Sequence, residues 1–182
     1  MTTEIVTSDF FKMADRTDES QIMNIDEFKD ILCYKDSKSN RYELSYKGIK
    51  HLVLEMASKG YPLEVMQTGT ELIGEGEEKT WYATVKMRNK KTGLETVGNS
   101  ECPFYDKGTK DPFARTKALS KAERNAAKKQ LPEAMIVHLV NDATKQGKTQ
   151  TLKAVEDFCT CPKPQPGLST GKCVMCAKVV RK

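Results

Sequence analysis

Long apolar runs are absent from this 182-residue chain, and none approaches the roughly 20 residues that a membrane-spanning helix requires. The opening MTTEIVTSDFF also lacks the basic start and apolar centre of a secretion signal. An intracellular location is therefore expected (cytoplasm or nucleoid, or the host cytoplasm for a viral chain), with no membrane partner. There, the six cysteines are expected to be thiols or metal ligands and not disulfides. Histidine is scarce: His51 and His138 are the only two, and His51, in the first helix beside Leu52, reads as structural and not as part of a proton relay. A phosphate loop is missing too. Ahead of Gly147-Lys148-Thr149 that motif needs a glycine where Asp142 stands, and no predicted strand precedes it. Gly74 and Gly76 sit among Glu71, Glu75, Glu77 and Glu78, which would repel phosphate. Nucleotide binding and ATP hydrolysis are not expected. Glu77 and Lys79 match the carboxylate-x-lysine pair of metal-dependent nucleases, but two charges after a strand read better as hairpin surface. No catalytic constellation stands out, and an enzyme is not expected.

Acids are almost missing from one stretch. Between Lys107 and Lys129 there are eight Lys or Arg against two acids, Asp111 and Glu123, while the whole chain carries a net charge of only +5. Wound at about 100° per residue, DPFARTKALSKAERNAAKKQL puts Lys117, Lys121, Arg124 and Lys128 on one stripe and Ala118, Leu119, Ala122 and Ala126 on the other side. Alanine costs no side-chain entropy in a helix and lets it approach its neighbour closely. One side is expected against a sheet and the other against anions.

A hydrophobic content of 38% with 30% charged residues fits one cored domain with polar ends. Residues 1–40 read as an acidic, partly disordered leader, with a short helix expected from Ile25 to Tyr34 that turns Ile25, Phe28, Ile31 and Leu32 inward. The core is expected over 41–143. Ser45 should cap a helix that Gly60 closes, with Ile49, Leu52, Val53 and Met56 on its buried face. Leu63 to Ile73 reads as a strand. WYATVKMRN, from Trp81, alternates with a period of two, the mark of a half-buried strand. Lys90 to Gly93 makes a hairpin loop and Leu94 to Cys102 returns. Pro103 to Lys110 reads as a connector, Asp111 and Pro112 start the basic helix, and Pro132 breaks it before a last helix from Glu133 to Ala143. The class is α+β: a helix, a three-stranded antiparallel meander and a long basic helix. Residues 144–158 read as a linker, with a helical turn or two from Leu152 to Phe158.

The tail, 159–182, carries Cys159, Cys161, Cys173 and Cys176 around a loop holding three prolines and two glycines. That loop has too little apolar matter to fold on a core. Four thiolates on a structural zinc would organise it as a knuckle, with free or redox-active thiols as the competing reading. Cys33 and Cys102 stand alone and read as small core hydrophobes.

Lysine and arginine track a phosphate backbone while aromatic rings stack on bases irrespective of sequence. The basic stripe is accompanied by Lys79, Lys86, Arg88, Lys90 and Lys91 and by Trp81, Tyr82, Phe104 and Tyr105. Trp81 shares a strand face with Ala83 and Val85, so it reads equally as core. The competing reading of the stripe is an ordinary solvated helix face. On the exposed reading, Lys121→Glu with Arg124→Glu would weaken binding without unfolding the domain.

The order of helix, three strands and helix, with Tyr42-Glu43-Leu44-Ser45 ahead of the first helix, the hairpin at Lys90 to Gly93 and KALSKAERNAAKKQLPE in the last, resembles the single-strand annealing recombinases. This superfamily groups the eukaryotic annealing mediator of double-strand-break repair with the phage Erf-type proteins. The resemblance covers about Tyr42 to Met135. It implies single-stranded DNA binding, ATP-independent annealing of complementary strands in recombination and repair, and assembly into homo-oligomeric rings or filaments. By position it implies phosphate contacts at Lys117, Lys121, Arg124, Lys128 and Lys129, with Arg115 at the flank. Lys86 and Arg88 are added from the strands. A metal-dependent nuclease and a zinc-containing adaptor for an acidic protein remain the rival expectations.

Overall fold

Alternating small and bulky side chains set the centre of the molecule. In the computed structural model, which describes residues 9–24, 30–37, 40–106 and 108–152, β3 (Leu63–Ile73), β4 (Thr80–Asn89) and β5 (Glu95–Pro103) form an antiparallel sheet in the order β3-β4-β5. Ala83, Val85 and Met87 of β4 are buried, as the period-two pattern requires. Register places Thr84 opposite Asn99 and Val85 opposite Gly98 in β5, and Thr68 opposite Val85 in β3.

Helix α3 (Ala114–Lys128) lies across β4 and β5. Its Ala118, Ala122 and Ala126 are wholly buried. The approach is so close that a Cβ on Gly98 would stand 2.1 Å from the Ala122 carbonyl oxygen and 2.3 Å from the Ala126 nitrogen. Polar bonds fix the register of helix on strand. Thr96 Oγ1 donates to the Ala126 carbonyl at 2.9 Å, Asn125 Nδ2 to the Asn99 carbonyl at 2.8 Å and Lys129 Nζ to the Val97 carbonyl at 2.6 Å.

Helix α2 (Tyr46–Ser58) starts where Ser45 accepts from the Gly48 N–H, and Gly60 follows it with a positive φ of 84°. Its Ile49, Leu52 and Met56 join the core of the meander and α3. The segment 103–113 is more ordered than a connector. Tyr105–Asp106 (β6) and Thr109–Lys110 (β7) pair as a small ribbon. Asp111 Oδ1 then accepts from the Phe113 N–H, and α3 begins at Ala114. After Pro132, α4 runs over Glu133–Lys145.

Three expectations fail toward the ends of the chain. Residues 9–22 form a helix, α1 (Asp9–Ile22), where a loose leader was expected. Among its described side chains the buried positions, Ala14, Thr17, Asp18 and Gln21, are spaced as one helical face. Three of the four are polar, so hydropathy gave no helical period. Cys33–Asp36 is a strand, β1, and not the end of a helix. It pairs antiparallel with β2 (Tyr42–Leu44) and parallel with β8 (Thr149–Leu152), which occupies the predicted polar linker. Residues 25–29, which carry Ile25 and Phe28, lie outside the described residues, as do 153–182 with Cys159, Cys161, Cys173 and Cys176 and the zinc reading placed on them. The α+β class stands, with four helices, the meander and the β2-β1-β8 sheet among the described residues.

Candidate nucleic-acid interface

The stripe on α3 is not the open cationic ridge that helical spacing suggested. Lys121 is 2% exposed, with its Nζ 2.6 Å from Asp15 Oδ2 and 2.5 Å from Glu19 Oε1. Lys117, one turn earlier, lies 2.7 Å from Asp111 Oδ2 and 3.5 Å from Glu19 Oε2. One turn later, Arg124 is paired with Asp18 and also donates to Asn125 Oδ1. Lys128 pairs with Glu43 of β2. Lys129, although exposed, spends its ammonium on the Val97 carbonyl. Three of the five acids involved come from α1, a region read as leader.

Asp18 is the most enclosed of them. Its carboxylate accepts from the Tyr34 hydroxyl at 2.8 Å and the Tyr46 N–H at 2.7 Å as well as from Arg124. Burial holds its pKa above the usual carboxylate range, against the pull of Arg124 and these two donors. Beside it, Gln21 Oε1 accepts from the Lys47 N–H while its Nε2 donates to the Ile31 carbonyl. Asp18 and Gln21 therefore help to satisfy the first turn of α2, whose leading N–H groups have no partner within the helix. Burial lowers the affinity of Lys121 for its proton, and Asp15 and Glu19 more than offset this, leaving its pKa above the ordinary value. Lys117 shifts the same way, with Asp111 and Glu19 outweighing burial. For Asp111 burial works upward, but the Lys117 ammonium and the Phe113 N–H prevail and its pKa is lowered.

Lys121 on the wet side of the helix is thus corrected: it is enclosed beneath α1. The double charge reversal at Lys121 and Arg124 is expected to unfold the domain, because it would bury carboxylates against carboxylates. The strand residues fare no better as free cations. Lys86 and Arg88 share Glu95, at 2.6 and 2.5 Å, on the outer face of the meander.

A different group lies at the end of the meander where α3 begins. Arg115 is exposed, stands 5.5 Å from the Trp81 ring centroid and donates from Nε to Thr70 Oγ1 at 3.1 Å. Lys110, also exposed, stands 5.1 Å from the Phe104 ring, which meets Tyr105 edge to face. The backbone of Phe104 ties these pieces together, donating to the Lys79 carbonyl at 2.8 Å and accepting from the Asp111 N–H at 2.9 Å. Phe113 adds a ring that is 49% exposed. Among the described residues no carboxylate forms an ion pair with Arg115, Lys110 or Lys79. The sequence named Trp81, Phe104 and Tyr105 but set Arg115 at the flank and did not single out Lys110.

Cys33 and Cys102 are buried, as expected, and burial pushes their thiols up to about 12 and about 11. Among the described residues no group of three or more His, Cys, Asp and Glu side chains could hold a metal, and no helix is long and apolar enough to cross a membrane. Comparison of the chain with protein-family models, with curated proteins and with solved structures found no match.

Proposed function

We propose that this chain binds unpaired nucleic acid and promotes annealing of complementary strands without a nucleotide cofactor. The observation that carries the reading is the end of the meander, where Arg115 and Lys110, free of ion pairs among the described residues, lie beside Trp81 and Phe104. Guanidinium and ammonium groups can hold phosphates while neighbouring rings stack on bases, and such contact does not depend on sequence. The helix, meander and basic helix agree in order with the annealing recombinases that the sequence resembles. That resemblance supports annealing as the consequence of binding, and a ring or filament as the working assembly.

Fluorescence anisotropy with a labelled single strand tests binding. Log affinity should fall with log salt by about 0.7 per phosphate held, and Arg115→Ala with Lys110→Ala should weaken binding while leaving the fold intact. Annealing of complementary strands should then proceed without ATP. Passage through a single-strand column at roughly 0.15 M salt would remove the proposal in favour of a protein adaptor. Magnesium-dependent loss of the strand, abolished by Glu77→Ala, would replace it with a nuclease.

A further inference from the structure

The acids of α1 do more than bury a helix. Asp15, Asp18 and Glu19 present three carboxylates to Lys117, Lys121 and Arg124, with Lys121 at the centre of the contact. Four Lys or Arg on one stripe of α3 is the pattern expected of a phosphate track, and each of the first three is met by an α1 carboxylate. Among the α1 side chains described, the hold on the core combines a small apolar contact, Ala14 and Met13 with Tyr34 and Leu152, with polar ones, Asp18 bonding to Tyr34 and Tyr46 and Gln21 to Ile31 and Lys47. Hydrogen bonds and ion pairs can be exchanged for water or another anion at small net cost, unlike buried apolar area. Segments held this way are drawn from the low-stability end of a fold. Asp15 retains 45% side-chain exposure and Glu19 25%, so solvent already reaches the two carboxylates that share Lys121.

We infer that α1 is an intramolecular occupant of a second phosphate track: its carboxylates hold the places that a polynucleotide's phosphates would take along Lys117, Lys121 and Arg124, and α1 lifts when that track loads. A strand that loads this track displaces Glu19 from Lys117 and then Asp15 from Lys121. The inference rests on the proposed binding of unpaired nucleic acid, and adds to it that the resting chain is self-inhibited.

Two measurements on the full chain test it. Asp15→Asn with Glu19→Gln leaves the Asp18 anchor in place and removes the charges that compete for Lys117 and Lys121. Affinity for a labelled single strand should rise at least severalfold, and the salt slope should steepen by about 0.7 for each phosphate gained. Hydrogen exchange on the unaltered protein supplies the second. The amides of Asp9–Ile22 should exchange faster once a single strand is bound. A folded double variant with unchanged affinity and slope overturns the inference, and so does α1 protection that stays level or increases on binding. If the double variant does not fold, the exchange result alone decides. If Arg115→Ala with Lys110→Ala weakens binding while α1 responds to neither test, the self-inhibition falls and the binding surface stands. If neither the unaltered chain nor the double variant binds a single strand, both fall together.

Discussion

Lys121 and Arg115 sit less than two turns apart on the same helix, and their surroundings are opposite. Lys121 is enclosed and doubly paired with carboxylates from residues more than 100 positions away in the chain. Arg115 is exposed and faces an indole ring and a hydroxyl. Both count equally in a charge tally of the basic stretch, yet only one has a guanidinium available to a ligand without rearrangement. A run of basic residues therefore measures the capacity of a surface for anions. What remains free is fixed by whatever else packs there.

The comparison can be broken most forcefully at Lys121. Lys121→Glu would bury a third carboxylate beside Asp15 and Glu19, and removing one partner of a buried pair typically costs about 3–5 kcal/mol. Denaturant unfolding should show a loss of at least that order, whereas Arg115→Glu should leave stability within about 0.5 kcal/mol. Equal stability in the two variants would mean that Lys121 is not enclosed. Next comes the other face of α3. Ala122→Leu should lower stability by about 1–3 kcal/mol through overpacking against β5 at Gly98, readable as a lower midpoint with unchanged denaturant dependence.

At the aromatic end the readout is binding. Phe104→Ala should cost about 1–3 kcal/mol of single-strand affinity if the ring stacks on a base, with little change in duplex affinity. The stripe has its own signature in alkali. The pKa values of Lys117 and Lys121 are raised above 10.5, so their contribution to stability is complete below that value and declines as pH rises through their folded-state values. Above pH 10.5 the thermal melting temperature should fall more steeply for the unaltered chain than for Lys121→Met. The smallest effect is expected on the outer sheet face. Lys86→Gln with Arg88→Gln removes two exposed pairs to Glu95 and should change stability by less than about 1 kcal/mol. Strand affinity should move less than with Phe104→Ala; a larger loss would transfer the interface to that face.

Much of the centre was legible in the residues. The alternation in WYATVKMRN and the alanines of α3 each obey a strict local period, and the meander and the close helix follow from them. The N-terminal region was illegible for a physical reason. α1 buries Asp18 and Gln21 against hydrogen-bonding partners at Tyr34, Ile31, Tyr46 and Lys47, and polar positions satisfied from elsewhere in the fold leave no hydropathy signal. Its trace in the sequence was charge: Asp15, Asp18 and Glu19 share a helical face, as the stripe does, with the sign reversed. Strand β8 escaped notice for a related reason, since Thr149-Gln150-Thr151-Leu152 has no apolar period and is a strand only because β1 lies beside it.

The sequence alone determined that a helix with an alanine side and a cationic side would lie on a three-stranded meander, because those periods are local and each residue's neighbours impose them. Tertiary structure decided which of the cations meet solvent. Ion pairs join residues distant in the chain, and an ammonium group carries the same charge in the sequence whether its eventual neighbour is a carboxylate, an aromatic ring or water.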